Sequence, residues 1–172
     1  MKKASVVITR YNETNDLVIP CLEAVSKQKG VSLIVYFLDQ KKDEDIKKLS
    51  NQLSNKEIKI IYKNIPAKSL SYARNLGVRL SKTDLVIFTD ADGIPNTTWA
   101  SELLKLFLDK KDVAIVGGKA TPKWLKKQKW FHKSNILMDK YSVLDLGDGI
   151  KEVEEIVGVN FGLNKKVLKK ER

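Results

Sequence analysis

The stretch Leu85-Val86-Ile87-Phe88-Thr89-Asp90-Ala91-Asp92 decides the fold class of this chain. An apolar run long enough for a buried strand ends in two carboxylates with one small residue between them. In a parallel α/β sheet the ligand crevice lies beyond the carboxyl ends of the strands. Two carboxylates this close repel each other unless a cation lies between them, and a divalent metal is the usual occupant. The stretch therefore predicts a metal-assisted site, although Asp-Ala-Asp-Gly is also favourable turn chemistry.

Outward from this stretch, apolar runs alternate with segments of helical period. We predict strands at 5–9, 33–38, 58–62, 85–89, 113–116 and 155–162. We predict helices at 17–28, 43–53 and 69–80, from a cap at 96–98 through 108, and from 165 onward. This order predicts an α/β fold with a mainly parallel, Rossmann-like sheet and helices on both faces. We expect one domain, 1–172, with a ligand-binding half at 1–118 and a shorter second half at 119–172.

Composition restricts the partners of the chain. Its 172 residues, 42% of them hydrophobic, suffice for one domain with a core, and the net charge of +11 favours anionic ligands. Lysine is more frequent than arginine, which suits general electrostatic attraction better than base reading. The sequence has no zinc-ligand spacing, helix-turn-helix cue or aromatic ribonucleoprotein motif, so we expect no nucleic-acid partner. No apolar run reaches the length of a membrane span, and the single Cys21 fits a reducing compartment. We therefore expect a cytoplasmic protein, with Cys21 packed in a helix.

Polar residues follow each of the first four predicted strands. The first strand is followed by Thr9-Arg10-Tyr11-Asn12-Glu13, and the second by Asp39-Gln40-Lys41-Lys42-Asp43. Residues 64–75 follow the third strand, and Asp90-Ala91-Asp92 follows the fourth. In a doubly wound sheet these segments meet at one edge. The sequence thus predicts one composite site suited to a nucleotide.

Four of the motifs resemble those of the family 2 glycosyltransferases, whose nucleotide-sugar-binding fold is called GT-A. Tyr11-Asn12-Glu13 resembles the family's Y-N-E, and Ala73-Arg74-Asn75 its A-R-N. Asp90-Ala91-Asp92 resembles the D-x-D metal motif, and Gly158-Val159-Asn160-Phe161-Gly162 resembles a later G-x-N segment. Each motif is weak alone, but their order and spacing together are specific, and the resemblance covers most of the chain.

The resemblance implies a transferase that moves a sugar from a nucleoside-diphosphate sugar, of the UDP or GDP type, to an acceptor hydroxyl with inversion. Tyr11 would lie against the nucleobase, Asp39 would accept a base N–H, and Arg74 would contact the base or the diphosphate. Glu13 would touch the ribose or hold its loop. The implied substrate-binding set is Thr9, Tyr11, Glu13, Asp39, Arg74, Asn75 and Asn160. The alternatives are a helix cap for Asp39, a surface arginine for Arg74 and a loop aromatic for Tyr11.

The resemblance also implies a metal and two catalytic carboxylates. Asp92 would bind Mn²⁺ or Mg²⁺ bridging both phosphates, and Asp90 would bind ribose or the metal through water. The second strand keeps only Asp39 of the two adjacent aspartates that the family commonly carries there, so the uridine preference is less secure. The family's later acidic pair, the catalytic base, is absent up to Arg172. Asp145 and Asp148 are weak candidates for the base.

A basic aromatic stretch, 124–133, permits two interpretations. It is either an interfacial segment that meets anionic lipid and reaches a lipid-linked acceptor, or a loop whose aromatics pack on the core. We favour packing. His132, the only histidine, fits a surface or capping role better than metal ligation.

Two rival functions stay open at this point. A nucleotidyltransferase also uses carboxylates and metal on an α/β sheet, but Thr9-Arg10-Tyr11-Asn12 has no glycine for a phosphate loop. A nucleotide-sugar-binding module without a complete catalytic half is compatible with the missing acidic pair.

Overall fold

The computed structural model describes residues 2–124 and 143–170. Its strands are β1 (Lys2–Arg10), β2 (Val31–Asp39), β3 (Ile58–Asn64), β4 (Leu85–Asp90), β5 (Ile115–Gly117) and β6 (Phe161–Asn164). Its helices are α1 (Asn15–Ser26), α2 (Glu44–Leu53), α3 (Leu70–Leu80), α4 (Trp99–Asp109) and α5 (Lys165–Lys170).

The strands form one six-stranded sheet in the order β3-β2-β1-β4-β6-β5. β1 to β4 pair in parallel, whereas β6 runs antiparallel to both β4 and β5. The predicted α/β fold with a mainly parallel sheet is confirmed. Because Arg10 is opposite Asp39 and Thr9 is opposite Asp90, the polar ends of β1, β2 and β4 lie side by side.

The sheet is buried on both faces, which explains its nearly continuous apolar strands. On one face Val6, Ile8 and Phe37 pack with α1 and α4, and on the other Val7 and Phe88 pack with α3. Burying each such side chain contributes about 1.5–3 kcal/mol. Because β1 supplies buried side chains to both faces, it lies at the centre of the core.

Side-chain caps begin two of the helices. Asp43 precedes α2, and its carboxylate accepts hydrogen bonds from the backbone N–H groups of Asp45 and Ile46. Ser69 precedes α3 and accepts from the N–H of Tyr72. Helix α1 begins two residues earlier than predicted, at Asn15, and Pro20 lies inside it. Cys21 is buried in α1, as predicted.

The predicted strand at 155–162 is wrong in its bounds. Only Phe161–Asn164 is a strand, and the N–H of Asn160 donates to the carbonyl of Val157 in a turn. Strand pairing starts where Phe161 meets both Phe88 and Gly117, because β6 fits between β4 and β5 only from that residue onward. β6 lies in the same sheet as β1 to β4, although it belongs to the predicted second half.

Within the described ranges, no helix combines the length and apolar character that a bilayer span needs. Except for Trp124, the basic aromatic stretch 124–133 lies outside the described residues, and so does His132.

Candidate functional site

A cavity of about 430 Å³ opens at the carboxyl ends of β1, β2 and β4. Its volume falls in the range of small-molecule sites. It is lined by Thr9, Arg10, Tyr11, Glu13, Gln40, Lys68, Leu70, Asp90 and Asp92. Five of these residues belong to the predicted site: Thr9, Tyr11, Glu13, Asp90 and Asp92. The parallel register therefore brings the ends of β1 and β4 together, as the sequence predicts.

Asp90 is held by an ion pair with Arg74 behind the cavity. The Arg74 Nη2 atom lies 2.9 Å from Asp90 Oδ1 and 3.0 Å from the carbonyl oxygen of Gly158. The guanidinium also lies over the ring of Phe161, with 5.5 Å between its carbon and the ring centre. A side chain at Gly158 would place its Cβ 2.9 Å from Arg74 Nη2, so this approach needs glycine. Arg74 thus ties the A-R-N motif to the D-x-D motif and the G-x-N motif.

The carboxylates of the cavity repel one another. Burial raises the pKa of Asp90, and the charges of Asp92 and Glu13 raise it further, while Arg74 opposes the rise. Asp92 itself is exposed to the cavity. A bound cation would relieve this repulsion, and hard oxygen donors suit Mg²⁺ or Mn²⁺.

The protein donors alone do not enclose an ion. In the part of the chain that the structure describes, no group of three acidic, histidine or cysteine side chains is placed to hold a metal. Mg²⁺ is commonly bound by one or two carboxylates together with substrate phosphates. Asp92 and Asp90 fit that arrangement, in which the ligand supplies the remaining donors.

The loop after β1 is shaped by its own residues. Glu13 Oε2 accepts a hydrogen bond of 2.7 Å from the backbone N–H of Tyr11. Of the two predicted roles of Glu13, the structure therefore shows the one that holds the loop. The Tyr11 side chain is 54% exposed and faces the cavity, where its ring can stack on a planar ligand.

Arg10 is a residue of the site to which the sequence analysis assigned no role. It is fully buried, and all five of its N–H groups are used. Two reach the carbonyl of Glu13 at 2.9 and 2.7 Å, and one reaches Asn15 Oδ1 at 2.7 Å. The other two reach Asp39 at 3.2 Å and Asp43 at 3.0 Å. A signal was available in the sequence. Arg10 is a cation at the end of one apolar strand, and two acids, Asp39 and Asp43, come at the end of the next strand and shortly after it.

Asp39 is committed to this network. Its side chain is fully buried and accepts from Arg10, from the Tyr62 hydroxyl at 3.0 Å and from the N–H of Lys41 at 2.8 Å. Burial raises the pKa of Asp39, against the opposing effect of the Lys41 N–H and of Arg10. Asp39 is not among the residues that line the cavity, and its contact with a nucleobase stays a prediction. It is not the helix cap either, because Asp43 caps α2.

Acid titration of Asp43 gives a test of the network. Burial works to raise its pKa, but the Ile46 N–H and the Arg10 guanidinium hold it below the usual 3.8. The unfolded chain therefore binds more protons, and Asp43 contributes stability above pH 3.8 that is lost as the pH falls through the lowered pKa. We expect Asp43→Asn, which keeps a cap, to flatten the loss of unfolding free energy measured by urea titration from about pH 5 downward.

The exposed neighbour Asp45 provides the matched control. Asp45→Asn should leave the acid dependence of the wild type in place. Equal slopes for Asp43→Asn and the wild type would contradict the assignment.

Two predicted binding residues lie away from the cavity. Asn160 Oδ1 accepts from the indole N–H of Trp99 at 2.8 Å, and its Nδ2 donates to the carbonyl of Lys119 at 2.7 Å. Asn160 thus connects α4 to the segment after β5. Asn75 is exposed on α3 and does not line the cavity.

The two base candidates, Asp145 and Asp148, pair with Lys119. Lys119 Nζ lies 3.0 Å from Asp145 and 3.2 Å from Asp148. The Gly147 N–H and Lys119 lower the pKa of Asp145, which makes it a weaker proton acceptor. Neither carboxylate lines the cavity, so the described residues do not identify a general base.

Gln40, Lys68 and Leu70 line the cavity without having been predicted. Gln40 directly follows β2. Because the ends of parallel strands share one edge of the sheet, this position could have indicated a residue of the site. Lys68 and Leu70 come from the approach to α3, where no pattern in the sequence distinguishes them from ordinary loop residues.

Comparison with known proteins places this geometry in a family. The model of glycosyl transferase family 2 matches residues 5–172. Hyaluronan synthase of Pasteurella multocida is 28% identical over 114 residues, which cover 66% of this chain and 12% of that protein. Glucosyl-dolichyl phosphate glucuronosyltransferase of Haloferax volcanii is 22% identical over 167 residues, covering 96% of this chain and 53% of that protein. The chain thus spans about half or less of these relatives.

Solved structures agree on the fold. A mannosyltransferase from Pyrobaculum calidifontis, determined with GDP-Man and Mn²⁺, superposes with a TM-score of 0.68 at 17% identity. That superposition covers 97% of this chain and 46% of the mannosyltransferase. TarS of S. aureus superposes with a TM-score of 0.59 at 17% identity, over 99% of this chain and 29% of that one. The predicted GT-A fold is confirmed, and the chain belongs to glycosyl transferase family 2.

Proposed function

We propose that this chain is the donor-binding part of a metal-assisted glycosyltransferase. It would move a sugar from a nucleoside-diphosphate sugar to an acceptor hydroxyl. The observation that carries the proposal is the cavity at the ends of β1, β2 and β4, in which Asp90 and Asp92 lie beside the exposed ring of Tyr11. Carboxylates for a metal-bound diphosphate and an aromatic face for a base meet in one space of suitable size.

Five residues that line the cavity receive a role in this proposal. Tyr11 stacks on the base, and Thr9 and Glu13 shape the wall nearest the ribose. Asp92, with Asp90 beside it, would hold Mn²⁺ or Mg²⁺. When bound, the metal neutralises charge that develops on the departing diphosphate. Arg74 keeps Asp90 oriented through their 2.9 Å ion pair.

The reaction that family resemblance implies is an inverting displacement. The acceptor hydroxyl attacks the anomeric carbon as the bond to the diphosphate breaks, and a base removes the hydroxyl proton. The Pyrobaculum mannosyltransferase was solved in complex with GDP-Man and Mn²⁺, which supports a donor of this chemical class. The acceptor is proposed to be a sugar or a lipid-linked sugar, and peripheral contact with an anionic membrane stays a prediction from the charge of +11.

Calorimetric titration of nucleoside diphosphates tests the proposal. UDP or GDP should bind, and Mn²⁺ should tighten binding by about tenfold or more, which is about 1.4 kcal/mol. Chelation of the metal should reverse the gain. Failure of every nucleoside diphosphate to bind, or affinity that does not respond to Mn²⁺, would refute the metal-assisted site.

A binding module without a complete catalytic half is the second candidate. It is favoured by one observation: among the described residues, no carboxylate other than Glu13, Asp90 and Asp92 lines the cavity. Release of the nucleoside diphosphate from a nucleotide sugar, with sugar and lipid-linked acceptors supplied, separates the two. A transferase releases the nucleoside diphosphate over many cycles, whereas a binding module binds the nucleotide sugar and releases no product.

A further inference from the structure

We infer that Arg10 is a positioning residue for the nucleotide, because it holds the loop after β1, residues 11–14, in its binding shape before any ligand arrives. The inference rests on the proposed function, since it assumes that the ring of Tyr11 in this loop stacks on a base. It assigns a functional role to a side chain that is itself fully buried.

The loop lacks the support that regular structure gives. Strand β1 ends at Arg10 and helix α1 begins at Asn15, so residues 11–14 belong to neither element. Thr14 occupies the N-cap position of α1, but its side chain makes no capping hydrogen bond. A threonine at this position commonly accepts from a backbone N–H of the first helical turn. The start of α1 therefore does not anchor the loop by the usual contact.

Arg10 supplies this support from the strand side. Its Nε and Nη2 atoms lie 2.9 and 2.7 Å from the carbonyl oxygen of Glu13, and Nη2 also lies 2.7 Å from Asn15 Oδ1. One planar group thus holds both the far end of the loop and the first residue of α1. Glu13 Oε2 in turn accepts from the N–H of Tyr11 at 2.7 Å. These contacts close the loop on the end of β1.

The guanidinium is fixed in turn by two acids of the neighbouring elements. Its Nη1 atom lies 3.2 Å from the carboxylate of Asp39, at the end of β2, and 3.0 Å from that of Asp43, which caps α2. The side chain of Arg10 has no exposed surface. A buried cation cannot leave its acids without a large cost, because they would stay buried and unpaired. Arg10 therefore couples the loop rigidly to the sheet.

A loop that is fixed in this way favours binding, because less ordering remains to be done when the ligand arrives. Ordering a loop at a binding site lowers affinity, and preorganisation removes that cost. Tyr11 is exposed and lines the cavity, so its ring depends on the loop backbone for its position. The proposed metal ligand Asp92 follows β4 and lies outside the loop. Substitution of Arg10 should therefore weaken the contact with the base and spare the metal-bound diphosphate.

The Arg10→Lys variant tests the positioning role with little harm to the fold. Lysine keeps a cation for the two acids, but its single nitrogen cannot at the same time reproduce the contacts with Glu13 and Asn15. In calorimetric titrations with Mn²⁺, the affinity for UDP or GDP, whichever the wild type binds, should fall about threefold to tenfold. The affinity for inorganic pyrophosphate, which has no base, should change by less than about twofold. An equal fall for the two ligands, or an unchanged affinity for the nucleotide, would overturn the inference.

A double-mutant cycle with Tyr11 tests the route by which Arg10 acts. Tyr11→Ala in the wild type should weaken nucleotide binding about fivefold or more, as the loss of base stacking does. In the Arg10→Lys protein the same substitution should weaken binding by less than about twofold, because the ring is already out of place. If the two losses multiply instead, Arg10 acts by another route, such as through Asp39, and the inference is wrong.

Ile58→Ala is the control for lost stability. Ile58 is buried at the amino end of β3, whereas the cavity lies at the carboxyl ends of the strands, so the substitution opens a hole in the core away from the loop. The control should keep the wild-type affinity for the nucleotide and the full cost of Tyr11→Ala. A fall in nucleotide affinity equal to that of Arg10→Lys would show that general destabilisation is sufficient, and it would overturn the inference.

Hydrogen exchange in the unaltered protein decides the question where a variant does not fold. The backbone N–H of Tyr11, which is bonded to Glu13 without any ligand, should exchange about tenfold or more slowly than a free amide before nucleotide is added. Protection that arises only after nucleotide is added would overturn the inference and leave the proposed function intact. Absence of binding by every nucleoside diphosphate would refute the proposed function together with this inference.

Discussion

Replacing Arg10 with methionine is expected to lower the free energy of unfolding by about 3–5 kcal/mol. The substitution leaves Asp39 buried without its cation. It also removes five hydrogen bonds that tie the end of β1 to the following loop, to α1, to β2 and to the start of α2. Urea denaturation measures the change. Arg79→Met, at an exposed position of α3, should alter stability by no more than about 0.5 kcal/mol.

A double variant separates the ion pair from the packing of Arg10. Replacing a buried pair with apolar residues is often neutral, whereas breaking it is costly. Arg10→Met combined with Asp39→Leu should therefore recover part of the loss, giving a coupling free energy of about 0.5–3 kcal/mol. Additive effects of the two substitutions would show that the pair does not stabilise the fold.

Replacing Asp92 with asparagine is expected to abolish the metal dependence of nucleotide binding and to lower transfer activity by about 100-fold or more, about 2.7 kcal/mol in the barrier. Asp92 is exposed, so the melting temperature of the variant should stay close to that of the wild type. Asp112→Asn, another exposed aspartate beyond the cavity, is the matched control. Unchanged metal dependence in Asp92→Asn would exclude this carboxylate as a ligand.

Asp90→Asn should behave differently from Asp92→Asn. It also removes the partner of Arg74, which contacts Gly158 and Phe161. We expect it to reduce both stability and nucleotide binding, whereas Asp92→Asn should leave stability close to that of the wild type.

Much of the fold was predictable because its strands are buried on both faces. The runs that became β1 to β4 have a local signature. β6 was harder to place. Its four residues form a strand only by fitting between β4 and β5, and no local pattern encodes that fit.

The candidate site was predictable to the extent that strand order determines it. Asp90, Asp92, Tyr11 and Glu13 meet because parallel strand ends share an edge. The pairing of Arg10 with Asp39 was not predictable in the same way. It depends on side-chain direction at adjacent strand ends, where an acid can face the cavity or turn to a buried cation.

The position of Mn²⁺ in a crystal of the protein with UDP or GDP tests the central claim most directly. Anomalous scattering at the manganese edge locates the ion without ambiguity. We expect a peak beside the Asp92 carboxylate, with the base at the Tyr11 end of the cavity. A peak elsewhere, or a nucleotide bound in the cavity with no metal between it and Asp92, would contradict it.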